Sequence, residues 1–262
     1  MKRFPCVLVL AAWLIGLSGC TTVPETGRRQ LMLVSPADEM KTGLTEFEKI
    51  KKDTPVSRDP ALNARIQSIG RRIAAAVGRE MPNAQWEFVV FDEPKTVNAF
   101  ALPGGKVGIY TGLIQLSSSD AEIAIVIGHE IAHVTSRHGA ERMSQGIAAA
   151  VLGAAVAVGT ENSKNRDYWR AAYGVGATLG TLAYSRSHES EADAIGMRFA
   201  AYAGYDPRAA VSFWKKMDQQ SGGGTGFKWF STHPPSRERI VELERLAPKY
   251  LPIFEANRGR FE

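Results

Sequence analysis

The segment His129-Glu130-Ile131-Ala132-His133 constrains this chain more than any other, because its two imidazoles can act together only on an α-helix. On a helix, residues four apart share a face, with about 5–6 Å between their Cβ atoms, so both rings can grip one metal ion. Glu130 is rotated by about 100° from His129. That sets a carboxylate beside the ion, in reach of a water. With five His in 262 residues, a random order would give about 0.007 such matches. The surroundings also read as helix. Ser119-Asp120-Ala121-Glu122 has the capping-box pattern, and Ile123, Ile127, Ile131 and Val134 recur at helical spacing.

Two His need at least one more protein donor, commonly Glu, His or Cys, with a position left for water. Candidates lie in Ser185-Arg186-Ser187-His188-Glu189-Ser190-Glu191-Ala192-Asp193. Glu189 and Asp193 share a helix face, and Glu191 points about 160° away from it. His138 falls off the ligand face, so a surface or helix-end role is expected. His188 diverges from Glu189 by about 100°. Neither is expected to bind metal.

The first nineteen residues are expected to stand outside the fold. Lys2 and Arg3 precede an apolar run, Val7 to Leu17, of signal-peptide length and short for a membrane span. Leu17-Ser18-Gly19-Cys20 resembles the lipobox of bacterial lipoproteins. That resemblance implies cleavage before Cys20 and lipid attachment there. By the same resemblance, Thr21 in place of an Asp favours the outer over the inner membrane, and so the periplasmic face of the outer membrane. Cys6 and Cys20 are the two cysteines, so the mature chain would keep no thiol for a disulfide. The net charge is +5, of which Lys2 and Arg3 account for two, leaving +3. No basic stripe suggests a nucleic-acid partner.

Residues 20–34 read as anchor and tether, and 35–262 as a single domain. Ser35-Pro36 and Asp59-Pro60 each open a helix, the second striped by Leu62, Ile66, Ile69, Ile73 and Val77 up to Gly78. The period then changes. Trp86 to Phe91, Val97 to Leu102 and Val107 to Tyr110 read as strands, with Pro103-Gly104-Gly105 as a turn. Asn98, Ala99 and Phe100 are placed at the sheet edge near the cleft, or else in a hairpin that merely packs the helices. Gly146–Gly159 and Ala171–Ala183 are Ala/Gly-rich runs, read as a helical hairpin over the cleft or dipping into a membrane. Asp206-Pro207 opens a helix that ends before Gly222. A last helix runs from about Ser236 to Leu246. The fold class is α+β, mostly helical, with a small sheet beside the metal-binding helix.

Taken together, Asn98-Ala99-Phe100, His129-Glu130-x-x-His133, Ser185-Arg186-x-x-Glu189-x-x-Ala192-Asp193 and His233-Pro234-Pro235-x-x-x-Arg239 resemble the zinc metallopeptidases that include the CAAX prenyl proteases, HtpX and the periplasmic Oma-type lipoproteins. The resemblance implies a zincin-like fold and one Zn2+ held by His129, His133 and Glu189. It implies that Asp193 accepts a hydrogen bond from a ligating imidazole and fixes its tautomer. It puts His233 and Arg239 near the cleft, where the pair can stabilise an oxyanion. His233 can instead reach the metal, take the water's place and keep the enzyme latent. Failing both, His233 orders the Pro-Pro turn and Arg239 lies on a helix surface.

The implied chemistry is peptide hydrolysis, with Glu130 as general base for a zinc-activated water. Residues 97–102 would pair with an extended polypeptide as an added strand, which suits unfolded or misassembled envelope proteins. The competing class is a chaperone-like or assembly lipoprotein that holds clients with little proteolysis.

Overall fold

The computed structural model describes residues 20–159, 184–220, 228–234 and 237–260. The signal-peptide, Ala171–Ala183 and Gly222–Gly224 readings lie outside them. The chain forms two compact units, one from residues 1–36 with 137–182, the other from 37–136 with 183–262.

In the first unit, β1 (Cys20–Thr22) pairs antiparallel with β2 (Arg29–Leu31). This hairpin falls within the span read as a tether. Gly27, at φ 69°, turns the chain between the strands. The hairpin and the residues after it are tied to α5 (His138–Gly159), which contains the first Ala/Gly-rich run. Arg28 pairs with the buried Glu141 at 2.8 Å, and the Leu33 amide donates to Ser144 Oγ at 2.8 Å. No helix among the described residues is long and apolar enough to cross a membrane.

The second unit holds the metal-site motifs. It contains most of α1 (Pro36–Asp53), then α2 (Pro60–Val77). Asp59 caps α2, accepting from the Ala61 and Leu62 amides. The expected stripe is buried at Ile66, Ile69, Ile73 and Val77. The sheet has the order β3-β5-β4, with β3 (Glu87–Phe91) parallel to β5 (Lys106–Tyr110) and β4 (Ala99–Leu102) antiparallel to it. Gly104 and Gly105, at φ 96° and 82°, make the tight β4–β5 turn. The central β5 is buried along its length, and β3 and β4 are the two outer strands.

A short α3 (Thr111–Leu116) leads to α4 (Asp120–Thr135), where Ser119 accepts from the Glu122 amide. Glu122 reaches back to the Ser118 amide, one residue beyond the usual box. Helix α4 packs against α2, β4 and α6 (Arg186–Tyr202), and α6 packs in turn on α8 (Arg237–Asn257). Helix α7 (Ala209–Gln220) completes the described helices of this unit. Helix α8 runs eleven residues past the expected stop at Leu246, through Pro248 and Pro252. A Pro removes one amide donor and can bend a helix without ending it.

Where α4 crosses α6 the backbones touch. A Cβ on Gly128 would lie 2.7 Å from the Gly196 carbonyl oxygen, and one on Gly196 would lie 2.6 Å from the His129 amide nitrogen. Gly196→Ala must therefore push the helices apart beside His129. The expected cost is about 1–3 kcal/mol, seen as a lower Tm in thermal denaturation. An unchanged Tm would mean that the crossing has slack.

Candidate metal centre

Helix α4 is buried on all sides from Glu122 to His133. His129, Glu130 and His133 are 1%, 4% and 2% exposed. The two imidazoles turn to the same side, with Nε2 to Nε2 at 3.1 Å. Helix α6 brings Glu189 against them, with Oε2 3.5 Å from His129 Nε2 and Oε1 3.4 Å from His133 Nε2. His233, which follows a short 3-10 turn (Lys228–Ser231), adds a fourth donor. Its Nδ1 is 3.0 Å from Glu189 Oε1 and 3.4 Å from His129 Nε2. One ligand atom from each of His129, His133, Glu189 and His233 lies within 4.8 Å of all the others. Three imidazole nitrogens and a carboxylate oxygen, buried and converging, are a donor set that fits a divalent transition ion.

The surroundings tune these donors. Asp193 Oδ1 is 3.0 Å from His129 Nδ1, so that side of the ring meets a carboxylate and Nε2 faces the cluster. Burial pulls the His129 pKa down, but the Asp193 and Glu189 carboxylates outweigh it and raise it to about 9. An ion at Nε2 must displace that proton. Burial takes His133 well below the ordinary imidazole range, and the charges on His129 and His233 add to the effect. Burial works against ionised Glu189 and Asp193, yet Arg239 outweighs it and both stay below the usual carboxylate range.

Glu130 stands beside the donors and outside their set. Burial raises its pKa, while positive charge on His233 and His129 opposes the rise. The Ala101 backbone also opposes the rise, and His233 Nε2 lies 3.5 Å from Oε1. Helix α4, which carries Glu130, packs on β4.

The Tyr110 amide donates to the Asn98 carbonyl at 3.1 Å, so Asn98, Phe100 and Leu102 direct their backbone groups to β5. The alternate residues Ala99 and Ala101 direct theirs outward. The Phe100 ring stacks against Phe91 at 5.9 Å and meets Phe47 edge-on, so its side chain serves packing while its strand supplies the edge. Just before β4, the Val97 carbonyl accepts from the Trp229 amide at 3.3 Å.

Arg239 is 5% exposed, so it is no helix-surface residue. Its guanidinium faces the Asp193 and Glu189 carboxylates. His138 is fully buried at the start of α5 and not on the surface; neither it nor His188 belongs to the donor cluster. Three aromatic residues around the centre gave no signal in the sequence. Tyr184 stacks on His133 at 3.8 Å, Trp229 stacks on His233 at 4.3 Å, and Trp214 lies under Arg239 at 4.1 Å. Only Trp229, four residues before His233 and bonded to it through the backbone at 2.9 Å, sits at a suggestive spacing.

Comparison with known proteins agrees with this geometry. Residues 60–247 match Peptidase family M48. The chain is 31% identical over 231 residues to the mitochondrial metalloendopeptidase OMA1 of Schizosaccharomyces pombe, covering 87% of this chain and 66% of that one. It is 37% identical over 194 residues to the Arabidopsis thaliana protein of the same name, covering 71% and 37%. It is 28% identical over 268 residues to the beta-barrel assembly-enhancing protease of Escherichia coli, covering 97% and 54%. The chain thus spans between about a third and two thirds of the length of these relatives. With the family match running across both metal-site helices, α4 and α6, the chain belongs to peptidase family M48, a family of metallopeptidases.

Proposed function

We propose that this chain is a zinc-dependent endopeptidase that cleaves unfolded or misassembled polypeptides. The observation that carries the reading is the convergence of four buried donors beside a buried carboxylate that is not one of them. His129, His133 and Glu189 would hold the ion, and the His/Glu set suits zinc. When bound, zinc would supply Lewis acidity, polarising the scissile carbonyl and acidifying water.

The remaining work belongs to the chain's own groups. Glu130 takes the proton from the attacking water and returns it to the leaving nitrogen. Asp193 keeps the His129 ring in one tautomer. Ala99 and the Ala101 carbonyl offer outward backbone groups to an extended substrate, which favours unfolded chains over folded ones. His233 serves in one of two ways. Swung toward substrate, it can donate to the oxyanion. In the position seen here it is a fourth donor, and a site closed by four protein donors has the character of a latent or structural one. That position also favours a second reading, an assembly factor that holds clients and cuts them rarely.

The lipobox-like Leu17-Ser18-Gly19-Cys20 supports lipid anchoring at Cys20 on the periplasmic face of the outer membrane. The name of the Escherichia coli relative supports envelope proteins as substrates. The test is incubation with denatured, labelled casein and, separately, with a folded protein. The expected result is cleavage of the denatured protein alone, stopped by a chelator and restored by zinc. Capture without cleavage, unaffected by chelation, would favour the assembly reading.

A further inference from the structure

Building on the metal-centre reading, we infer that Arg239 is a positioning residue, a guanidinium that aims the Glu189 and Asp193 carboxylates at the ion and does not meet the substrate. All three of its nitrogens lie against carboxylates. Nε donates to Asp193 Oδ2 at 2.8 Å and Nη2 to Asp193 Oδ1 at 2.7 Å. Nη1 is 2.6 Å from Glu189 Oε2. The fork thus reaches from α8 across two carboxylates one turn apart on α6.

Two carboxylates four apart on a helix repel each other. Both are buried here, where the repulsion is strongest, and the guanidinium between them offsets it. It also decides which oxygens remain for the centre. Asp193 Oδ1 is shared between Arg239 and His129 Nδ1. Glu189 Oε1 is left toward His133 and His233, at 3.4 and 3.0 Å. One side chain therefore connects to all four donors, to Glu189 directly and to His129, His133 and His233 through a single intervening carboxylate. The Trp214 ring, 4.1 Å from the guanidinium carbon and edge-on to His129, gives that plane a flat wall. A lysine in place of Arg239 would keep the charge but lose the planar fork that meets both carboxylates.

The test is zinc affinity, measured by competition with a chelating dye, for wild type, Arg239→Lys and Trp214→Leu. The same preparations are assayed for kcat and KM on denatured casein as free zinc is raised. Arg239→Lys is expected to bind zinc about 10- to 100-fold more weakly, to keep its KM, and to recover most of its kcat at saturating zinc. Trp214→Leu is expected to weaken zinc in the same direction by less. Unchanged zinc affinity in both variants would overturn the inference. So would a kcat for Arg239→Lys that stays down about 10²–10³-fold at saturating zinc, the mark of a lost oxyanion contact. If circular dichroism shows that Arg239→Lys does not fold, Trp214→Leu decides by the same affinity criterion. A wild type that binds no zinc would overturn the metal centre itself, and this role with it; wild-type binding with unaffected variants removes the role alone.

Discussion

Glu130→Gln is expected to keep its metal and to lose cleavage of a denatured protein by about 10²–10⁴-fold, the range that general acid–base catalysis supplies. Gln matches Glu in shape and retains one acceptor oxygen. It cannot take a proton from water. Glu130 is separate from the four clustered donors, so metal content should not change. Burial moves this carboxyl upward from its ordinary range, against the charges on His233 and His129. A base shifted toward neutrality is better placed both to accept a proton and to give it back. The check is the rate of casein cleavage beside metal content on the same preparation. Full activity in a folded Glu130→Gln protein would remove Glu130 from the mechanism.

Glu189→Ala is expected to lose the metal, the activity and part of the stability together. The carboxylate is 1% exposed and contacts His129, His133, His233 and Arg239. Deleting it leaves the buried Nη1 of Arg239 without that partner. Breaking a buried ion pair by removing one partner costs about 3–5 kcal/mol. For a chain of this size that corresponds to a fall in Tm on the order of 10 °C. A chelator should lower the Tm of wild type, because the ion binds the folded state. It should leave the Tm of Glu189→Ala unmoved. A variant with wild-type Tm that still responds to chelator would place the ion elsewhere.

The metal-site helices were legible because helical spacing turns a five-residue motif into geometry. His129 and His133 meet at 3.1 Å, and Glu189 and Asp193, one turn apart on α6, both reach the cluster. The outer position of β4 was one of two readings of its strand and Gly-Gly turn, and the strand order takes it. Long-range packing showed only in part: the resemblance put His233 and Arg239 near the cleft, but local spacing could not orient them. Arg239 lies 46 residues from Asp193, and no local pattern tells which way a guanidinium faces. His138 was read as a surface or helix-end residue; it does open α5, but it is buried there, by contacts that no periodic face announces. The hairpin of β1 and β2 has strands of three residues each, too short to display a period. Helix α8 outran its expected end at Leu246, continuing through Pro248 and Pro252, residues that more often follow a helix than lie within one.

The most direct test of the metal centre is metal content per chain, by elemental analysis of purified protein, for wild type, His233→Ala and Glu189→Ala. The expected result is about one zinc in wild type and in His233→Ala, where three donors remain, and none in Glu189→Ala. A wild type without metal, or a Glu189→Ala protein that binds as much as wild type, would contradict it.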